Sequence, residues 1–205
     1  MSRLCVRLRI AGFTLIELMV VIAIVAVVLL LAAPSFRKTI EMQRLRGVQD
    51  ELLTSIQLAR TEAVARNVPV HIRIRPAGDS SGACYTIFAD SNKSIESWSL
   101  ACDCRAAAGL RCAAASTSEI KTVMLNSAHG IDFTLATALD DRFAFDPTFA
   151  GLIVAQSEVR AENLAAGYSV STGIDSQRMI RTNVTVPGRA QMCAPSGSTV
   201  PISSC

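Results

Sequence analysis

Apolar and polar positions along this chain fall into three successive regimes. From Phe13 to Ala33 nearly every residue is apolar, and Glu17 is the only charged one. Such a run predicts a helix long enough to cross a bilayer, at about 1.5 Å per residue against a hydrocarbon core of roughly 30 Å. In the second regime Phe36, Ile40, Leu45, Val48, Leu52, Ile56, Ala59 and Ala63 recur mostly three or four apart, which makes one apolar stripe on a helix. Arg37 with Glu41, Arg46 with Asp50 and Glu62 with Arg66 have the spacing of ion pairs on its wet side. Asn67 and Pro69 end the pattern. Pro34 separates the two helical regimes and predicts a bend, because it lacks an N–H and crowds the preceding turn. The stripe needs a cover: a sheet of the same molecule from Leu52 onward, other chains before it.

In the third regime the period shortens to two. Val70, Ile72 and Ile74 alternate with His71, Arg73 and Arg75, which predicts a half-buried strand with His71 on its exposed side. Further strands are expected at Ala83–Ala89, at Ser97–Ala101 with Trp98 as an anchor, and as a pair at Ile120–Leu125 and Gly130–Leu135. Phe143–Phe145 leads into a turn at Asp146-Pro147, and Ala161–Gly167 reads as another turn. Tyr168–Thr172, Arg178–Thr182 and Asn183–Val186 complete the set, closed by Pro187-Gly188. Asp103–Ser118, rich in Ala and Ser, reads as a loop or short helix tethered by cysteines. The fold class is therefore α+β: a long N-terminal helix, its first half transmembrane, packed against antiparallel β-sheets. Its segments are 13–67 for the helix, with 13–33 spanning the membrane, and 68–205 for a β-rich domain resting on helix residues 52–67.

Arg3, Arg7 and Arg9 precede the apolar run with no acid among them, the layout of a secretory signal. Glu17 inside the run, Pro34 straight after Ala32 and Ala33, and the length of the run argue against cleavage in the usual place. The whole chain is formally +3, with 20 Lys and Arg against 17 Asp and Glu. Those three leader arginines account for the entire surplus, so the chain beyond Gly12 is formally neutral and its basic pI does not imply a nucleic-acid partner. Arg37, Lys38, Arg44 and Arg46 make the far flank basic too, so charge alone leaves the orientation open. Cys84, Cys102, Cys104, Cys112, Cys193 and Cys205 form an even set that suits disulfides in an oxidising compartment, with the pairing open. Cys193 with Cys205 is the simplest local choice. Cys102-x-Cys104…Cys112 lacks a fourth ligand and the two-residue spacing of a zinc site, so no metal is expected.

The stretch Gly12-Phe13-Thr14-Leu15-Ile16-Glu17 at the head of the apolar run closely resembles the leader of type IV prepilins and pseudopilins. The resemblance narrows to the minor pseudopilin H and FimT group. Three further features carry it: Gln57–Ala63 leading through Arg66-Asn67 to Pro69-Val70, then Phe145-Asp146-Pro147, then Val184–Arg189. It implies a leader, residues 1–12, cut by a prepilin peptidase between Gly12 and Phe13, with N-methylation of Phe13. It implies that Glu17 is the assembly residue, meeting the amine of Phe13 on an adjacent subunit. It further implies a minor subunit near the tip of a type II secretion pseudopilus or type IV pilus. Its partners would be other pilin or pseudopilin subunits and an inner-membrane assembly platform. The expected placement is single-pass in the inner membrane, N-terminus cytoplasmic and C-terminal domain periplasmic, within a periplasmic or surface fibre.

Other function classes leave weaker traces. FimT-like pilins that capture DNA use a Gly-Arg-x-Arg motif; here the matching residues are Gly188-Arg189-Ala190-Gln191, with the second arginine missing. Arg178, Arg181 and Arg189 are the candidate DNA contacts, since phosphate binding needs little beyond such charges. An enzyme is not expected, nor a cofactor. The chain has no Gly-rich phosphate loop, no nucleophile elbow and no supported carboxylate pair, and its two histidines are isolated.

Overall fold

One helix, α1, runs Leu15–Arg66 in the computed structural model, which describes residues 13–78, 81–92, 102–135, 141–154 and 167–205, leaving the side chains of 31–35 and 154 aside. The leader with Gly12, the strand expected around Trp98 and nearly all of the Ala161–Gly167 turn lie outside the described residues, as does the side chain of Pro34, where a bend is expected. Two units divide the chain, Met1–Glu41 and Met42–Cys205. In the first unit the described side chains of α1 are apolar and exposed almost throughout.

The expectation of a membrane-spanning first half, and with it the single-pass inner-membrane placement, is corrected. Among the described residues no helix is long and apolar enough to cross a membrane.

The second unit builds its core on the helical stripe. Leu45, Leu52, Ile56, Ala59 and Ala63 are fully buried. Asn67 stops α1 in the left-handed region at φ 53°, its N–H donating to the Val64 carbonyl, and Pro69 prevents resumption. Nine strands follow among the described residues: β1 Val70–Arg75, β2 Cys84–Asp90, β3 Thr117–Met124, β4 Asp132–Leu135, β5 Arg142–Phe145, β6 Leu152–Val154, β7 Tyr168–Asp175, β8 Arg178–Val184 and β9 Ala190–Cys193. They form two antiparallel sheets, ordered β3-β2-β1-β5-β6 and β4-β7-β8-β9. Val70, Ile72 and Ile74 enter one core shared by both sheets, closed by Phe133, Phe143, Phe145, Tyr168, Ile180 and Val184. The Phe143 and Tyr168 rings meet across the sheets at 4.3 Å between centroids.

Several expectations change. The segments around Asn126–Gly130 do not pair: β3 joins the first sheet and β4 the second, with a short 3-10 turn Ser127–His129 between them. Arg178 to Val184 is one strand, not the start of two. His71 is buried, not exposed, and stacks on Phe88 at 5.0 Å because the outer face of β1 is itself covered. Its cover comes from the cysteine-rich segment. Cys84 is bonded to Cys104 and Cys102 to Cys112, while Arg75 donates to Asp103 at 3.0 Å and Arg73 reaches the Cys102 carbonyl.

Candidate assembly surface

Local chemistry starts α1 cleanly. Thr14 is the residue before the first helical turn, and its hydroxyl accepts the Glu17 N–H at 3.3 Å. Threonine followed three residues later by glutamate is the spacing of a capping box, which satisfies N–H groups that an open helix end leaves without partners. Glu17 thus sits in the first turn, where the positive end of the helix dipole favours a carboxylate. Sequence reasoning took Glu17 as a costly charge inside an apolar run and, by resemblance, as the assembly residue, and gave it no part in starting the helix. The Thr-x-x-Glu spacing was the signal that could have shown its local role.

Beyond this cap the helix offers a continuous apolar surface. Phe13 is 82% exposed, and Leu15, Ile16, Leu18, Met19, Val20, Ile24 and Leu29 are exposed too. Phe36 and Ile40, the first two members of the amphipathic stripe, remain 66% and 44% exposed. Such a surface lowers its free energy by roughly 25 cal/mol for each Å² that a neighbouring apolar helix removes from water.

At the far end of α1 the three later stretches of family resemblance converge. Arg60 donates from Nε to the Ala150 carbonyl at 3.2 Å. Asp146 organises the turn after β5, its Oδ1 accepting the N–H groups of Thr148 and Phe149 at 2.7 and 3.0 Å. Leu152 N–H donates to the Val186 carbonyl at 2.8 Å and so ties the first sheet to the second. Gly188 has φ +79°, and a Cβ there would lie 2.5 Å from the Ala150 carbonyl, so the β8–β9 turn can approach only without a side chain.

The three candidate DNA-contact arginines are not brought together. Arg178 is held by Asp175, with Nε and a terminal nitrogen at 2.8 and 2.7 Å from one carboxylate oxygen. Arg181 lies across from Ser171 on β7, with Nε 3.5 Å from its hydroxyl. Arg189 is exposed past the opposite end of β8, about 20 Å along the strand from Arg178. Among the described residues all six cysteines are used: besides the two bonds above, Cys193 is joined to Cys205. Among the described residues no group of His, Cys, Asp and Glu could hold a metal ion.

The ionisable groups whose pKa moves most are part of the packing. Burial lowers His71 to about 4, opposed by Asp90 and aided by Arg142. Burial raises the Tyr85 hydroxyl well above its usual range, opposed by its bond to Ser55 on α1 at 2.9 Å. Lys121 completes that cluster, with Nζ 3.1 Å from Ser55 and 3.3 Å from Glu51.

Comparison with known proteins agrees with both ends of α1. The prokaryotic N-terminal methylation motif matches residues 7–33. The family described as type II transport protein GspH matches residues 49–188, more than half of the chain. No curated protein and no solved structure matches it. An exposed apolar helix behind a methylation motif, leading into a two-sheet domain that carries the family match, identifies the chain as a member of the type II transport protein GspH family.

Proposed function

We propose that this chain is a low-copy minor pseudopilin seated near the tip of a type II secretion pseudopilus or type IV pilus, where it supports fibre assembly and protein export. Family membership makes it a minor pseudopilin-type subunit of secretion or pilus assembly, structural and not catalytic, that associates with other components of that apparatus. The observation that carries the finer reading is the uncovered apolar surface from Phe13 to Leu30 behind the methylation motif. A surface of that size is stable in a fibre only when helices of neighbouring subunits cover it. In this reading residues 1–12 are a leader. A prepilin peptidase cuts after Gly12 and methylates Phe13, and an assembly platform adds the subunit to the fibre. Glu17 then accepts the amine of Phe13 on an adjacent subunit, an ion pair that apolar surroundings strengthen. No observation favours DNA capture, because Arg178, Arg181 and Arg189 lie apart.

The test is Glu17→Ala in the full chain. Mass spectrometry should find the variant processed to begin at Phe13, while its recovery in sheared fibres falls on the order of tenfold, as expected for loss of a desolvated charge pair. Recovery at the normal level would sink the assembly role of Glu17.

A further inference from the structure

The convergence of Arg60, Asp146, Ala150 and Gly188 supports a display. The turn they hold carries Phe149 outward, with its ring 84% exposed. Ala150, which follows it, takes φ +51°, a left-handed conformation that costs a residue with a Cβ and persists only where the surroundings enforce it. The surroundings do enforce it. Ala150 N–H donates to the Asp146 carbonyl, its own carbonyl accepts Arg60, and Gly188 closes over it. Asp146 N–H is tied in turn to the Gly151 carbonyl at 2.9 Å. Residues from α1, from β5 and β6 and from the β8–β9 turn thus fix a backbone whose one large side chain points into water. Val186, whose carbonyl is bound by Leu152 of the same loop, adds a second apolar side chain, 42% exposed.

We propose that Phe149 is the anchor of a docking surface for a neighbouring protein subunit of the same fibre, inserting its ring into an apolar recess with Val186 at the rim. The inference rests on the assembly reading above and deepens it by naming a second contact, separate from the Phe13–Leu30 helix surface. Aromatic side chains on pre-ordered turns are the chemistry of interface anchors, because little freedom is lost when they dock. Direction within the second unit points to a subunit as the occupant. Arg60 lies in the last turns of α1, and Phe145 pairs with Val70 at the start of β1, so the turn sits where the helix ends. Phe149 and Val186 are exposed at that end, where a protein added along the helix axis would meet them. A nucleic acid fits less well: Arg60 is engaged by Ala150, which leaves Arg189 as the exposed cation of the β8–β9 turn.

The experiment compares full-length wild type, Phe149→Ala and Phe149→Tyr in cells that assemble the fibre. Phe149→Ala should leave the melting temperature and all three disulfides unchanged but lower recovery in sheared fibres on the order of tenfold, the loss typical of an interface anchor. Phe149→Tyr, which keeps the ring, should restore most of it. Wild-type recovery of Phe149→Ala overturns this proposal alone. Absence of the wild-type chain from fibres overturns the assembly reading and this inference with it. A lower melting temperature for Phe149→Ala would show the ring to be a packing element. Loss of low-salt oligonucleotide binding with fibre recovery intact would assign the surface to nucleic acid instead.

Discussion

The two ends of α1 are equally apolar in places and have opposite fates. Between Leu45 and Ala63 the apolar residues form a stripe one face wide, and Leu45, Leu52, Ile56, Ala59 and Ala63 are all fully buried. Between Phe13 and Leu30 apolar residues surround the helix and all are exposed. A stripe carries a direction, since it can be covered from one side by strands of its own chain. An all-round apolar surface has none and is satisfied only by apolar surroundings on every side. The difference separates folding from association: the stripe stabilises the monomer, and the surround does nothing for it. Truncating one side chain in each half exposes the contrast most sharply. Ile56→Ala removes fully buried volume from the shared core and should cost about 2–5 kcal/mol of unfolding free energy. Val25→Ala should change stability by less than about 0.5 kcal/mol, as for other exposed sites. Denaturant titration of the two variants checks this. Similar losses at both positions would mean that the first half packs within its own chain after all.

That division was legible in the sequence because it rests on periodicity alone. The stripe from Leu45 to Ala63 and the alternation of Val70, Ile72 and Ile74 need no tertiary information, and both belong to the core. What stayed hidden depends on the rest of the fold. Leu152–Val154 and Ala190–Cys193 are too short to show a period; each becomes a strand by adding to a neighbour's edge. The expected pairing of Ile120–Leu125 with Gly130–Leu135 fails although the intervening residues do turn, because β2 and β7 claim the two strands for different sheets. For the candidate site, the apolar run and Glu17 were plain. Phe149 was not, although Asp146-Pro147 before it and Gly151 after it marked a turn: an exposed aromatic residue leaves no periodic trace. His71 misled for a related reason, since alternation places it on the outer face of β1 but cannot tell that the face is covered.

His71 therefore gives a smaller test of the same contrast, from the sheet side. In the folded chain it stays neutral to about pH 4, while the unfolded chain titrates near the ordinary value of 6.5. Between those limits the unfolded state binds the extra proton, so stability falls as pH drops through this window and is untouched above it. The full loss approaches 2–3 kcal/mol at about pH 4, on the scale of roughly 1.4 kcal/mol per pKa unit. Unfolding measured from pH 7 to 4 should show the decline, and His71→Gln should flatten it. An equal decline in His71→Gln would move the acid sensitivity to other groups.

The smallest effect reaches the apolar surface at Phe13–Leu30 at its start. Thr14→Ala removes the hydroxyl that accepts the Glu17 N–H, and loss of such a cap costs about 1 kcal/mol of helix stability. Because the side chains from Phe13 to Leu30 are all exposed, the cost should appear only locally. Hydrogen exchange of the full chain should show faster amide exchange from Leu15 to Met19, with the amides of β1 and β2 unchanged. Faster exchange across the sheets would break the separation between the two halves of the helix. The substitution also separates the two roles of Glu17. If its carboxylate matters for assembly because it meets a neighbour's amine, Thr14→Ala frays the first turn and costs fibre recovery only modestly, far less than Glu17→Ala. If Glu17 matters because it closes the first turn, the two substitutions lower recovery alike. Glu17→Gln then decides, because the amide keeps a side chain able to cap the turn while losing the charge that an ion pair requires.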